Sequence, residues 1–143
     1  MRPALIFVIC ALALLAGDFV WLSLTGETLY RPEMHGLMRA KADLVPAAGF
    51  YLLYVLALCM LVLYPATDPG GPVNHRDITV KAAVLGLAAF GTYDLTGLSV
   101  IRDWPLSLSF IDMGWGLVNS VIAVNITALV LRLLGQVGKA SAP

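Results

Sequence analysis

Long runs of apolar residues, broken by short polar segments, govern this chain. Four runs stand out, from Ala4 to Leu24, Ala47 to Tyr64, Thr79 to Ile101 and Leu106 to Leu134. Each approaches or exceeds the ~20 residues that cross ~30 Å of hydrocarbon at 1.5 Å per residue, the second run being the shortest. None alternates apolar and polar positions along its length, and an open sheet would leave its edge groups unpaired in lipid. The pattern predicts an all-α membrane protein: an antiparallel four-transmembrane-helix bundle, one domain over residues 1–143, with spans at about 4–24, 47–64, 79–101 and 106–134.

The polar breaks are short, as antiparallel neighbours require, except for the first, Thr25 to Pro46. There Pro32 suits the first position of a helix, and Met34, Leu37 and Met38 share a face opposite Glu33 and Lys41, which predicts a short amphipathic helix lying at the interface. The second break contains Pro69-Gly70-Gly71-Pro72 and reads as a turn, with Asp77 available to cap the third helix. In the third, Arg102-Asp103-Trp104-Pro105, Trp104 is placed to anchor at the interface. The segment after Gly135 is small and polar and is expected to fray. Arg2 ahead of the first apolar run resembles the start of a signal peptide, but the run continues through Phe19-Val20-Trp21-Leu22 without a clean small-x-small cleavage site, which favours a retained helix.

Composition agrees with this reading. Hydrophobic residues make up 59% and charged residues 13%, where a soluble domain is about a quarter charged; the mean hydropathy is +0.86. Zero net charge offers no electrostatic footprint for nucleic acid. The expected surroundings are the lipid bilayer, with a lipid or small-molecule ligand and homo-oligomerisation as open partner classes. Four crossings place both ends and the second loop on one side (side A), with Arg2, Arg76, Lys81, Arg132 and Lys139, against Arg31, Arg39, Lys41 and Arg102 on side B. Five basic residues against four is a small asymmetry, and it points to cytoplasmic termini in a cell inner membrane.

Candidate chemistry centres on three acids within the spans, Asp18, Asp94 and Asp112. An aspartate at a helix centre costs on the order of 2.5–3.5 kcal/mol, so each needs a reason. Asp18 lies about six residues (~9 Å) from the side-B end of the first helix, Asp94 about seven (~10 Å) from that of the third, and Asp112 about five (~8 Å) from that of the fourth. Antiparallel threading therefore brings all three to one depth. Trp21, Tyr51, Tyr54, Tyr93, Thr96 and Trp115 fall in the same half, and Asp112, Trp115 and Asn119 share a helix face. The expected ligand-binding set is Asp18, Trp21, Tyr51, Tyr93, Asp94, Thr96, Asp112, Trp115 and Asn119.

Each residue also has a plainer reading. Ser109-x-x-Asp112 matches a capping box, Asp18 and Asp94 could tie helices together, and the aromatics could form an interfacial belt. His35 reads as an interfacial residue and His75 as surface; Cys10 and Cys59 read as small hydrophobes. Ala82, Gly86, Ala89, Tyr93 and Gly97 form a stripe that lets another helix approach closely, within the bundle in preference to between protomers. No metal-ligand spacing, phosphate loop or nucleophile elbow is present, and two histidines are too few for the histidine boxes of a membrane di-iron oxygenase. No cofactor or metal is expected.

Asp18-x-x-Trp21-Leu22, Tyr30-Arg31, Tyr51-x-x-Tyr54, Tyr93-Asp94-Leu95-Thr96, Trp104-Pro105 and Asp112-x-x-Trp115-Gly116 together resemble the bacterial membrane family known as domain of unknown function 2177. The resemblance spans nearly the whole chain; Tyr-Asp-Leu-Thr followed by Trp-Pro is its most specific part. It implies a four-helix inner-membrane protein without an established activity, and a connection to lipids, since members often neighbour genes of lipid-modifying enzymes such as cyclopropane-type fatty acid methyltransferases. Gly97 stands where that family is expected to carry asparagine, which removes one polar group from the expected site.

Together these readings predict a polar, aromatic-lined cavity opening toward side B that binds a small polar molecule or lipid headgroup through Asp18 and Asp94. Proton exchange at those carboxyls would permit proton-coupled binding or transport. The alternatives are a membrane-embedded lipid-modifying enzyme or its accessory subunit, with the carboxyls as general acid and base, and a non-catalytic assembly partner.

Overall fold

Four helices long and apolar enough to cross a membrane account for most of the chain: α1 (Arg2–Glu33), α2 (Leu44–Thr67), α3 (His75–Val100) and α4 (Leu106–Leu133). The computed structural model describes residues 2–34, 36–67 and 72–138. His35, the Pro69-Gly70-Gly71 turn and the tail from Lys139 lie outside the described residues. The protein is an all-α membrane bundle, and among the described residues the one extended pairing is an isolated bridge between Pro72 and Gly138.

Helices α1 and α2, and the N-terminal end of α3, outrun the apolar stretches because polar end residues satisfy backbone groups beyond the hydrocarbon. Asp43 caps α2, accepting from the Val45 N–H at 3.1 Å. For α3 the cap is Asn74, not the expected Asp77: Asn74 Oδ1 accepts the Asp77 N–H at 3.2 Å. The helix starts earlier, at His75, which leaves Asp77 inside the first turn, where its carboxylate receives Lys81 Nζ at 2.7 Å. The turn into α4 places Asp103 at φ +61°, a left-handed conformation that aspartate tolerates. The α4 helix ends in a Schellman motif: Gly135 (φ +66°) donates to Arg132 O at 3.1 Å and Gln136 to Leu131 O at 2.9 Å.

The first connection departs from expectation. Helical structure does not restart as a separate interfacial helix; α1 continues through a π turn, Gly26–Tyr30, into a last helical turn, Arg31–Glu33. Pro32 falls in that last turn, while Leu37 and Met38 belong to irregular chain leading to Asp43. The described stretch from Gly36, at φ +82°, to Asp43 forms no helix.

In cross-section the order is cyclic: α1 packs on α2 and α4, and α4 packs most extensively on α3. The α3–α4 contact is close because Gly86 faces Gly116; a Cβ on Gly86 would lie 2.4 Å from Gly116 O. The small-residue stripe on α3 thus serves the bundle interior at Ala82, Gly86 and Gly97, all buried. Buried apolar residues such as Ile6, Leu14, Leu58, Leu63, Ile78 and Leu131 concentrate in the side-A half. Cys10 of α1 and Cys59 of α2, fully buried and adjacent, belong to this core. Outward-facing residues such as Phe19 (74% exposed) are apolar, as a lipid-facing surface requires.

Candidate functional site

With the dry core at side A, the side-B half holds the polar side chains. Asp18 is buried where α1 meets α4 and accepts from Trp115 Nε1 at 2.7 Å and Asn119 Nδ2 at 2.9 Å. Asn119 also donates to Leu14 O at 3.2 Å, which fixes its amide. Tyr51 of α2 stands beside Asp18. Trp115 stacks on Trp21 of α1, ring centroids 4.5 Å apart and planes within 5°. Trp21 Nε1 donates to Tyr30 OH at 2.9 Å, and Tyr30 donates to Asp112 Oδ1. Asp94, 2% exposed, neighbours Asp112, Ser109 and Trp104. Its Oδ2 has no hydrogen-bond partner among the described residues.

Tyr30 reaches this network because of the π turn. Trp21 and Tyr30 are nine residues apart, and nine α-helical residues rotate about 900°, which would set the two on opposite faces. A π turn accommodates one extra residue, removing about 100° and leaving them within about 80°. The connection expected to carry an amphipathic helix instead delivers a hydrogen-bonding side chain to the acids.

Two of the three acids, Asp18 and Asp112, face a cavity of ≈ 360 Å³, with Trp21, Tyr30, Tyr51 and Trp115 among its walls. It continues into an apolar vestibule of ≈ 260 Å³ lined by Phe50, Ala89, Phe90, Tyr93 and Asp112. The ion pairs among the described residues are Arg31–Glu27, Arg39–Asp43 and Lys81–Asp77, all on the surface, and none involves Asp18, Asp94 or Asp112. Among the described residues no cation pairs with any of the three acids. Among the described residues no three His, Cys, Asp or Glu side chains converge as a metal site.

Most of the expected set is brought together: Asp18, Trp21, Tyr51, Asp112 and Trp115 around the cavity, Asn119 against Asp18, and Asp94 behind Asp112. Tyr93, 56% exposed, stands at the mouth and packs edge-on against Trp104, centroids 5.2 Å apart. Thr96 does not join them. Two residues past Asp94 is about 200° round the helix, so Thr96 is exposed on the outer face of α3, lining a lipid-side groove with Gly91 and Leu95 and bonding its own helix at Tyr93 O. The capping-box reading of Asp112 also fails: α4 begins at Leu106, just after Pro105, so Asp112 lies beyond the first turn, and Ser109 Oγ donates to Pro105 O at 3.0 Å.

Phe50, Phe90, Ser109 and Tyr30 complete the site without having been singled out for it. The phenylalanines carry no sequence signal beyond apolarity, and Tyr30 sits in a polar break. Trp104 closes the side-B end: its Nε1 donates to Ser109 Oγ at 3.0 Å and its indole lies on Gly97, where a Cβ would approach within 2.6 Å. Glycine at 97 is what allows the indole to lie against α3.

Residues 4–129 match a family model described as predicted membrane protein, domain of unknown function 2177. No curated protein and no solved structure matches the chain.

Proposed function

The chain belongs to the family of predicted membrane proteins termed domain of unknown function 2177, and from that premise we propose that it binds a small polar molecule or lipid headgroup within the side-B leaflet, with transport as the extension of that activity. The observation that carries the reading is the ≈ 360 Å³ cavity with the carboxyls of Asp18 and Asp112 in an otherwise largely aromatic wall. Cavities of roughly 300–1,000 Å³ with apolar walls and a few convergent polar groups are the usual form of small-molecule sites. Intramembrane carboxyls facing a cavity, and not lipid, are the usual mark of a ligand or ion path.

The test is native mass spectrometry of the protein released from its membrane. The expected result is a bound small molecule or lipid on the native chain that is lost from Asp18→Asn and Asp112→Asn. An adduct that persists in both variants puts the binding site elsewhere. With the termini cytoplasmic in a cell inner membrane, the cavity would face the periplasmic leaflet.

The adjacency of Asp94 and Asp112 favours a second reading, a lipid-modifying enzyme or its accessory subunit, in which one carboxyl acts as general acid and the other as base. Comparing membrane lipids by mass spectrometry with and without the protein separates the two; an unchanged lipid profile counts against the enzyme.

A further inference from the structure

The binding reading leaves the charge and kind of ligand open, and three features of the cavity narrow both. Its wall presents Asp18 and Asp112, contains no lysine or arginine among the described residues, and is otherwise largely aromatic. Behind Asp112 stands Asp94, 2% exposed, with Oδ2 unpartnered among the described residues. A low-dielectric pocket with carboxyls and no basic partner favours a positive guest. The absence of three converging ligand side chains among the described residues, and a volume many times that of a bare ion, argue against a metal. Aromatic faces attract large, weakly hydrated cations, above all alkylammonium groups.

The vestibule adds the route. The α2 and α3 backbones come close through Cys59–Leu63, in the side-A half. Toward side B the seam is spanned by rings: Phe50 and Phe90 lie 6.1 Å apart and Tyr54 and Phe90 6.2 Å. Phe50 is 43% exposed and Tyr93 56%, so the wall leading to Asp112 is apolar and open to lipid, which suits a hydrocarbon tail and not a free polar solute.

Resting on the binding reading above, we propose that the cavity takes an organic ammonium group, carried on an amphiphile that enters sideways between α2 and α3, with the ammonium among Asp18, Asp112 and the tryptophan pair and the tail in the vestibule.

The test titrates the full chain in a neutral maltoside detergent and follows its tryptophan emission, to which Trp21, Trp104 and Trp115 contribute. The probes are choline, its neutral isostere 3,3-dimethylbutan-1-ol, dihexanoyl phosphatidylcholine and dihexanoyl phosphatidylglycerol. The expected result is saturable binding of choline and the phosphatidylcholine, with the isostere and the phosphatidylglycerol weaker by roughly tenfold or more. Asp112→Asn should weaken choline by a similar factor while the exposed Glu27→Gln leaves it unchanged. The comparison of choline with its isostere uses native protein, so it stands even if a variant fails to fold. Equal binding of isostere and choline, or of the two lipids, overturns the ammonium assignment yet leaves a binding site in place. Silence toward every probe, together with no adduct in the mass spectrum, overturns both readings. Tighter binding of the phosphatidylcholine than of choline supports the lateral route, and equal affinity overturns that route in favour of a free ammonium compound.

Discussion

Tyr30 connects the two halves of the polar network, because its hydroxyl accepts from Trp21 and donates to Asp112. Tyr30→Phe leaves the Trp21 N–H and one Asp112 oxygen unmet; leaving a buried polar group unpaired costs about 1–3 kcal/mol. Unfolding titrations in mixed micelles should show that loss with the secondary structure intact; an unchanged midpoint means that water replaces the hydroxyl at no cost. Asp18 makes a sharper comparison. Asparagine keeps an oxygen for Trp115 and Asn119, so Asp18→Asn should fold close to normally. Asp18→Leu strands both donors and should be lower in stability by about 2 kcal/mol or more by the same measurement. If the asparagine and leucine variants are equally stable, the network does not depend on that oxygen.

Elements act here through rotation and closeness of approach. The Gly26–Tyr30 π turn is in effect a one-residue insertion in α1. Deleting Thr28 takes out that extra residue, so eight α-helical steps, about 800°, separate Trp21 from Tyr30 and the two stay within about 80° of each other. The indole emission and the helicity should then stay close to native; a shifted emission argues that the π turn does more than absorb one residue. Between α3 and α4, Gly86 meets backbone, which cannot move aside as a side chain can. Gly86→Leu should therefore destabilise the bundle by about 1–3 kcal/mol or more. Gly49, with open space around its would-be Cβ, serves as the control, and a cost at Gly49→Ala equal to that at Gly86→Leu would remove the close-packing explanation.

The whole molecule divides across the membrane. Its side-A half is a dry core and its side-B half a hydrogen-bonded network around a cavity, because antiparallel spans bring the side-B ends of α1, α3 and α4 to one level. Four spans also oblige both ends of the chain to share a side. Reporter fusions placed after residue 138 and before residue 2 should report the same compartment; opposite compartments would mean that one helix does not cross. Stability should reside mainly in the side-A half, where burial is most complete, so hydrogen exchange should be slowest at residues such as Leu58 and Leu131 and faster around Phe50 and Tyr93.

The four spans, the common depth of the acids and the grouping of Trp21, Tyr51 and Trp115 with them were all legible along the chain. Run length against bilayer thickness and the 100° step of a helix need only residue order, and the membrane supplies the third dimension. Four features were not legible: the π turn that turns Tyr30 inward, the choice of Gly116 on α4 as what the α3 stripe meets, the outward placement of Thr96, and the seam between α2 and α3 that opens toward lipid. Rotation of each helix about its axis is decided by how all four pack. Two residues on one half of a span can therefore face the bundle interior or the bilayer, as Asp94 and Thr96 do, with the choice made only when the neighbouring helices are in place.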